Sequence, residues 1–276
     1  MLKILVLGSN GMAGHIIVNY LNSLNKYTIR TSARSNSDYN LDIETDLDLL
    51  LNAIVDFKPD IIINCIGLLI KACNDNPDKA IYINSYFPHW LEKITNNINT
   101  KIIHLSTDCV FSGDKGNYKD TDIKDGIGFY AQSKALGEII NNKDLTIRIS
   151  IIGSELRKGG SGLFEWFMKQ KGVIRGYSEC FWSGITTLEL AKAIDKLIIS
   201  DITGLYQLSP NYKISKYDLL NLIKEIWNKT DVIILKDSTV KHNKSLINSD
   251  KGIPNYTIPN NYKVMLLEMK EFMEKL

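Results

Sequence analysis

Cysteine and histidine are scarce in this sequence, and neither follows the patterns that stabilise small domains or bind metal. The four cysteines, at positions 65, 73, 109 and 180, form no C-x-x-C pair, and the four histidines are scattered along the chain. Disulfide frameworks and structural metal sites depend on paired or clustered ligands. The sequence therefore predicts neither a disulfide-stabilised scaffold nor a metal site.

Runs of like charge and long apolar runs are also missing. The 33 lysine and arginine residues nearly balance the 31 aspartate and glutamate residues, which argues against a nucleic-acid or membrane-surface partner. No apolar run approaches the roughly 18 residues of a membrane helix, and the first residues resemble a strand rather than a signal sequence. We therefore expect a cytoplasmic protein with a small-molecule partner, and a homodimer is left open.

What the sequence does contain is a glycine motif near its start. The run from Leu2 to Leu7 is typical of a strand buried on both faces of a parallel sheet. Gly8, Gly11 and Gly14 follow, and apolar residues then recur at helical spacing up to Leu24. A helix that begins directly after a glycine turn points its free N–H groups at the turn, where glycines let a pyrophosphate approach. The motif predicts a dinucleotide site; the alternative is a loop that merely needs positive φ.

The end of the next predicted strand, Thr28 to Ser32, indicates which dinucleotide binds. In dinucleotide-binding folds an acidic residue near this point binds the ribose 2′-hydroxyl, whereas an arginine suits a 2′-phosphate. Arg34 follows the strand here. The sequence therefore favours NADP(H), with NAD(H) as the alternative cofactor and a solvated loop arginine as the non-functional interpretation.

Strand-like and helix-like segments alternate up to about residue 150. A short strand at 40–43 would place Asp42 near the adenine, and the apolar run 61–67 would end beneath the cofactor, since ligands lie at the carboxyl ends of parallel strands. The alternation predicts an α/β fold with a Rossmann-type, doubly wound parallel sheet. We predict an NADP(H)-binding Rossmann domain over residues 1–150. Residues 151–276 have a looser pattern and no second glycine motif, which predicts a mainly substrate-binding, smaller α/β lobe with some segments returning to the first domain.

The sharpest chemical feature is Tyr130 followed four residues later by Lys134. Residues four apart share a helix face, and a nearby ammonium favours a phenolate, so we expect Lys134 to lower the pKa of Tyr130 from roughly 10. Thr107, at an earlier strand end, could hydrogen-bond the same substrate oxygen. The pattern predicts that Tyr130 passes a proton to a carbonyl while a nicotinamide supplies hydride. A core tyrosine beside a surface lysine is the alternative, and the order of the motifs speaks against it.

Three segments together resemble the extended short-chain dehydrogenase/reductases, and among them the dTDP-4-dehydrorhamnose reductase branch. They are Gly8 to Gly14, Ser106 to Phe111 and Tyr130 to Glu138, with weaker likeness at Arg148 to Ser150 and Trp182 to Thr187. The resemblance extends to about residue 200. It implies reduction, by NADPH or NADH, of the 4-keto group of a nucleotide-activated 6-deoxyhexose, linked to dTDP or UDP, for surface-polysaccharide biosynthesis.

The resemblance also implies roles for individual residues. Thr107, Tyr130 and Lys134 would be the catalytic triad, with Lys134 also holding the nicotinamide ribose. The cofactor would be lined by Gly8, Asn10, Gly11, Met12, Arg34, Asp42, Ile43, Cys65, Ile66, Gly67, Asn84, Tyr130 and Lys134. The sugar would be faced by Asp108, Cys109, Val110, Phe111, Leu163 and Trp182.

Two departures from the reductase pattern fall where the sugar should bind, so the sugar need not be rhamnose. Cys109 replaces the usual tyrosine, and Trp182 opens an altered segment before the family's late threonine; a related 6-deoxy or 2-acetamido-6-deoxy sugar fits equally. One alternative is a bifunctional epimerase/reductase that uses Cys109, as GDP-fucose synthase uses a cysteine with a histidine. No histidine lies between Cys109 and the later substrate segments, so we interpret Cys109 as pocket lining. A non-catalytic, cofactor-binding regulatory subunit of this fold is the other alternative.

Overall fold

A parallel sheet organises the chain, whose computed structural model describes residues 1–156, 159–160 and 162–276. The strands are β1 (Leu2–Leu7), β2 (Tyr27–Ala33), β3 (Tyr39–Asn40), β4 (Ile61–Asn64), β5 (Lys101–Thr107), β6 (Leu145–Ile149), β7 (Ile151–Ile152), β8 (Gly172–Trp182), β9 (Ile185–Thr186), β10 (Gly204–Gln207), β11 (Ile214–Ser215) and β12 (Val232–Asn243). The α-helices are α1 (Met12–Ser23), α2 (Leu47–Phe57), α3 (Ile70–Asp75), α4 (Pro77–Ile81), α5 (Phe87–Thr95), α6 (Phe129–Leu136), α7 (Leu163–Lys169), α8 (Thr187–Ile198), α9 (Lys216–Ile226) and α10 (Tyr262–Met273).

The main sheet has the strand order β10-β6-β5-β4-β1-β2-β3 within the described residues. Every pairing in it is parallel. The order reverses beside β1, because β2 and β3 lie on one side of it and β4 on the other. Such a reversal opens a crevice at the carboxyl ends of the strands, where open α/β sheets bind ligands. The predicted Rossmann-type doubly wound fold is confirmed.

The central strands are apolar on both faces because helices cover both. In β1, Ile4 and Val6 belong to the core cluster that contains α1 and α8 residues, whereas Leu5 and Leu7 belong to the opposite cluster with residues of α2 and α5. Side chains of a strand alternate between the two faces of a sheet. An apolar run without alternation is therefore what this position requires.

A second sheet, in the order β11-β8-β12, contains β8, which the sequence did not indicate. The buried positions of β8 include Gly176, Ser178 and Cys180, which are too small or polar to mark an apolar face. A Cβ at Gly176 would lie 2.8 Å from an Ile234 methyl carbon, so the small residue lets β8 approach its neighbours. The apolar run 232–235 predicts a strand, and in the structure this strand, β12, continues to Asn243 through a register shift between Asp237 and Lys241.

Two further predictions need correction. The third strand is Tyr39–Asn40 and not 40–43, because the backbone oxygen of Asp42 accepts from Thr45 and Asp46 in a turn. Asn76 and Pro77 have the pattern of a helix cap and first turn, which predicts a helix to about Thr95, but the structure interrupts this helix with a π-helical turn over Tyr82–Tyr86. The boundary predicted near residue 150 stays a prediction. None of the described helices is both long and apolar enough to cross a membrane.

Candidate active site

The turn after β1 is shaped by two of its glycines. Gly8 has φ of +74°, in the left-handed region, and a Cβ there would lie 3.1 Å from backbone atoms of Cys65 and Ile66. A Cβ at Gly14 would lie 2.2 Å from the carbonyl oxygen of Gly8, so α1 could not begin this close to the strand with any other residue. The turn therefore brings the N-terminus of α1 to the mouth of the crevice, which suits a phosphate group.

A cavity of about 450 Å³ lies beside this turn. All the predicted cofactor residues line it except Asn84, Tyr130 and Lys134. It is also lined by Ser32 and Ser35, either of which the sequence suggests as a companion of Arg34 for the 2′-phosphate. The residues not assigned to the cofactor from the sequence are Ala33, Leu41, Glu44, Leu68, Ile83 and Glu155. These residues follow strand ends or come from distant segments, so only the folded sheet brings them together.

The Arg34 end of the cavity has the groups that a phosphate monoester needs. Arg34 is exposed and lines the cavity, and Asn10 fixes its loop by donating to the Ser35 carbonyl oxygen at 2.6 Å. The buried Ser32 hydroxyl has no hydrogen-bond partner among the described residues. The Asp38 carboxylate forms an ion pair with Arg30 at 2.6 Å and not with Arg34. A guanidinium and an unused hydroxyl thus fit an anionic 2′-substituent.

Asn84 lies behind the cavity and joins two parts of its wall. Its side-chain oxygen accepts from the Leu68 backbone N–H at 2.8 Å, and its side-chain nitrogen donates to the Leu68 carbonyl and the Ser133 hydroxyl, both at 3.1 Å. The π-helical turn carries Asn84 at its centre. Asn84 therefore ties the segment after β4 to α6, which carries Tyr130 and Lys134.

Lys134 is buried on α6 and reaches the cofactor side of the site. Its ammonium donates to the Leu105 carbonyl oxygen at 2.7 Å, and a Cβ at Gly67 would lie 3.9 Å from its Nζ. Burial lowers the pKa of Lys134 to about 8, although the Glu138 carboxylate opposes the shift. The residue is a buried cation beside the predicted nicotinamide end of the cavity.

The Thr107 hydroxyl and the Tyr130 phenol lie close enough to interact. The Thr107 hydroxyl donates to an Asp108 carboxylate oxygen at 3.2 Å and accepts from the Cys109 N–H at 3.1 Å. Burial, together with the nearby Cys109 thiol, raises the pKa of Tyr130 above its ordinary value, while interaction with the Thr107 hydroxyl lowers it. The expectation that Lys134 lowers the pKa of Tyr130 is therefore wrong for the free protein, because burial of the phenol outweighs any effect of the ammonium.

A buried ion pair supports the catalytic strand from behind. Arg148 donates to both carboxylate oxygens of Glu138, at 2.9 and 2.8 Å, and Ser106 donates to the same carboxylate at 2.8 Å. Burial alone would raise the pKa of Glu138. The Arg148 guanidinium lowers this pKa by hydrogen bonding and charge, and the net shift is downward. The pair fixes Ser106, the residue before Thr107.

The predicted sugar-facing residues do not all reach the site. Val110 and Phe111 are fully buried and pack in a core cluster with Tyr118 and Leu246, so their side chains are structural. Leu163 is half-buried and packs against the main core.

For Asp108, Cys109 and Trp182, the expectation that they face the sugar stays a prediction. Trp182 donates from its indole nitrogen to the Ser150 hydroxyl at 2.7 Å, and Lys216 lies over its ring. Burial and the neighbouring Asp108 carboxylate raise the pKa of Cys109 to about 11, so its thiol is protonated at neutral pH. In the described part of the chain no cluster of His, Cys, Asp or Glu is arranged to hold a metal ion.

Comparison with known proteins gives a consistent result. A family model described as the RmlD substrate binding domain matches residues 2–245. The chain is 32% identical over 179 residues to the spore coat polysaccharide biosynthesis protein SpsK of Bacillus subtilis strain 168, an alignment covering 61% of this chain and 62%, less than two thirds, of that protein. It is 26% identical over 230 residues to a dTDP-4-dehydrorhamnose reductase of Aggregatibacter actinomycetemcomitans, covering 79% of this chain and 76% of that enzyme.

Solved structures show the same fold. The dTDP-4-dehydrorhamnose reductase of Bacillus anthracis strain Ames, crystallised in complex with NADP, superposes with a TM-score of 0.83 at 20% identity, covering 100% of both chains. At this level of identity the match establishes the fold.

Proposed function

Because the chain belongs to the RmlD substrate binding domain family, we propose that it reduces the 4-keto group of a nucleotide-activated 6-deoxyhexose, linked to dTDP or UDP, with NADPH as hydride donor. The family match confirms the resemblance drawn from the motifs. What supports the proposal is that α6 carries Tyr130 near Thr107 and carries buried Lys134 near Gly67, which lines a cavity framed by the glycine turn. The names of the relatives, a dTDP-4-dehydrorhamnose reductase and a spore coat polysaccharide protein, support a sugar reductase for surface polysaccharides.

The cavity holds NADP(H) in this proposal, and when bound the cofactor supplies the hydride. The glycine turn and the N-terminus of α1 take the pyrophosphate, and the free Ser32 hydroxyl with Arg34 takes the 2′-phosphate. Lys134 holds the nicotinamide ribose, as the family resemblance implies, from its position beside Gly67. The NADP named in the solved structure of the Bacillus anthracis reductase supports this choice of cofactor.

Tyr130 donates its phenolic proton to the carbonyl oxygen as hydride reaches the carbonyl carbon, so that one hydride and one proton convert the ketone to an alcohol. The raised pKa of Tyr130 keeps the phenol protonated at neutral pH, which is the state that a proton donor needs. Thr107 steadies the same oxygen as negative charge develops on it. Residues 151–276 contribute mainly the contacts to the sugar and its nucleotide.

The test is turnover of purified protein with a panel of dTDP- and UDP-linked 4-keto-6-deoxyhexoses, followed by NADPH oxidation and by NMR of the product. We expect reduction, and we expect Tyr130→Phe to lower kcat by at least about 100-fold while it still binds NADPH. Absence of turnover by protein that binds NADPH would contradict the proposal. Running the reaction in D2O separates simple reduction from the bifunctional alternative, since deuterium entering a ring carbon next to C4 would reveal epimerisation.

A further inference from the structure

Lys216 is a lysine on the substrate side that the proposed reaction does not use. It is the first residue of α9, directly after the helix cap Ser215, whose hydroxyl accepts from the Asp218 N–H. Its Nζ lies 5.1 Å from the centre of the Trp182 ring, a cation–π contact that fixes the ammonium. Asp108 and Cys109 are near enough to influence its protonation, so Lys216 points toward the loop that follows Thr107.

The ammonium of Lys216 is not neutralised by the protein. It makes neither an ion pair nor a hydrogen bond with any residue that the structure describes. Burial lowers its pKa, although Asp108, Cys109 and Cys180 oppose the shift. Buried charges in proteins are normally paired, because removing an ion from water without a partner is costly. Lys216 is half-buried over the Trp182 ring, so this partly desolvated ammonium without a protein partner indicates an anion that is supplied from outside.

Charged groups of both signs lie around Lys216, and they include Asp218 in the first turn of α9 as well as Asp108 and Lys244. Lys244, which is half-buried, is close enough to lower the pKa of Cys109 and of His242. The N-terminus of α9 adds the positive end of a helix dipole. Asp108 is the opposing carboxylate, and one of its oxygens already accepts from the Thr107 hydroxyl.

We propose that Lys216 is a specificity-determining residue that binds the diphosphate linking the nucleoside to the sugar. This inference rests on the proposed function. A 6-deoxyhexose is uncharged, so the diphosphate is the part of the substrate that complements an unpaired ammonium. Trp182 holds the Lys216 side chain in place. The contact between Lys216 and the diphosphate makes the enzyme select nucleotide-linked sugars over free sugars.

The experiment measures binding of dTDP and UDP, and of the neutral nucleosides thymidine and uridine, by calorimetry. Lys216→Met should weaken diphosphate binding about 10- to 100-fold, the usual worth of a hydrogen-bonded charge, with nucleoside binding unchanged. Lys213→Met is the matched control, because Lys213 is likewise half-buried over an aromatic ring, 4.8 Å from Phe181. It should bind dTDP and UDP as the wild type does. In turnover, Lys216→Met should raise KM for the nucleotide-sugar and leave kcat and KM for NADPH nearly unchanged.

Three outcomes would overturn the inference: unchanged diphosphate binding in Lys216→Met, an equal loss of nucleoside and diphosphate binding, or an equal effect in Lys213→Met. The first would leave the proposed reductase intact if the wild type still reduces its substrate. Conversely, diphosphate binding that depends on Lys216 in a protein that reduces no 4-keto sugar would support the inference and refute the proposed function.

Discussion

Replacing Arg34 with alanine should remove most of the preference for NADPH over NADH. Arg34 lines the cavity beside the free Ser32 hydroxyl and makes no ion pair with another described residue, so its charge is available to a 2′-phosphate. A hydrogen bond to a charged group contributes about 1.5 to 3 kcal/mol. Because Arg34 is exposed, solvent screening favours the lower figure, which corresponds to roughly a tenfold change in affinity.

The assay is titration of intrinsic fluorescence with NADPH and with NADH, for the wild type and Arg34→Ala. We expect the dissociation constant for NADPH to rise about tenfold and that for NADH to stay the same. Arg30→Ala is the control, since Arg30 lies on β2 and is paired with Asp38 at 2.6 Å. An unchanged NADPH to NADH ratio in Arg34→Ala, or the same shift in Arg30→Ala, would refute the reasoning.

Two further predictions concern buried charges. The Lys134 pKa of about 8 lies below its ordinary 10.5, so the ammonium is lost as pH rises through 8. Because kcat/KM reports the protonation state of the free enzyme, we expect kcat/KM to fall in this pH range. A profile of kcat/KM that stays flat well above pH 8 would contradict this role for Lys134. Arg148→Met removes the bidentate partner of the buried Glu138 carboxylate and leaves it only Lys124 at 3.1 Å and the Ser106 hydroxyl, which should lower the free energy of unfolding by about 3 kcal/mol in urea titration. The double variant Arg148→Met with Glu138→Gln should recover part of that loss, and a single-variant effect below about 1 kcal/mol would show that the pair is not the support inferred here.

The local motifs were enough to predict the cofactor side of the site. A buried strand, a glycine turn and a helix are encoded within the first 24 residues, and the other lining residues follow predicted strand ends. Because parallel strands end at one edge of the sheet, placing the strands was nearly equivalent to placing Arg34, Asp42 and Cys65. This is why most of the predicted cofactor residues line one cavity.

The substrate side was harder to predict because it depends on contacts between distant segments. The buried face of β8 carries Gly176, Ser178 and Cys180, so neither hydrophobicity nor alternation marks it as a strand. Lys216 meets Trp182 only because β11 pairs with the end of β8. Val110 and Phe111 look like pocket residues from their position after Thr107, yet they are taken up by a small core with Tyr118.

The pKa of Tyr130 shows what a sequence motif leaves out. The spacing of Tyr130 and Lys134 identifies a neighbouring positive charge, but desolvation depends on every residue packed around the phenol. Burial disfavours the charged form of each group, phenolate for Tyr130 and ammonium for Lys134. It therefore shifts the two pKa values in opposite directions. It raises the pKa of Tyr130 and lowers that of Lys134 to about 8, so at neutral pH the phenol is neutral while Lys134 is still mostly protonated.

Anionic ligands would reverse part of this balance. Arg34 and Lys216 have no carboxylate partner within hydrogen-bonding distance among the described residues, and buried Lys134 donates to a backbone carbonyl. Such cations lower the stability of a free protein when they are buried, and they gain most from a ligand that brings negative charge. A 2′-phosphorylated dinucleotide suits the Arg34 end, and a sugar diphosphate suits the Lys216 end. In the proposed function, Arg34 and Lys216 are therefore binding positions for phosphate groups, and Lys134 is the cation that holds the nicotinamide ribose.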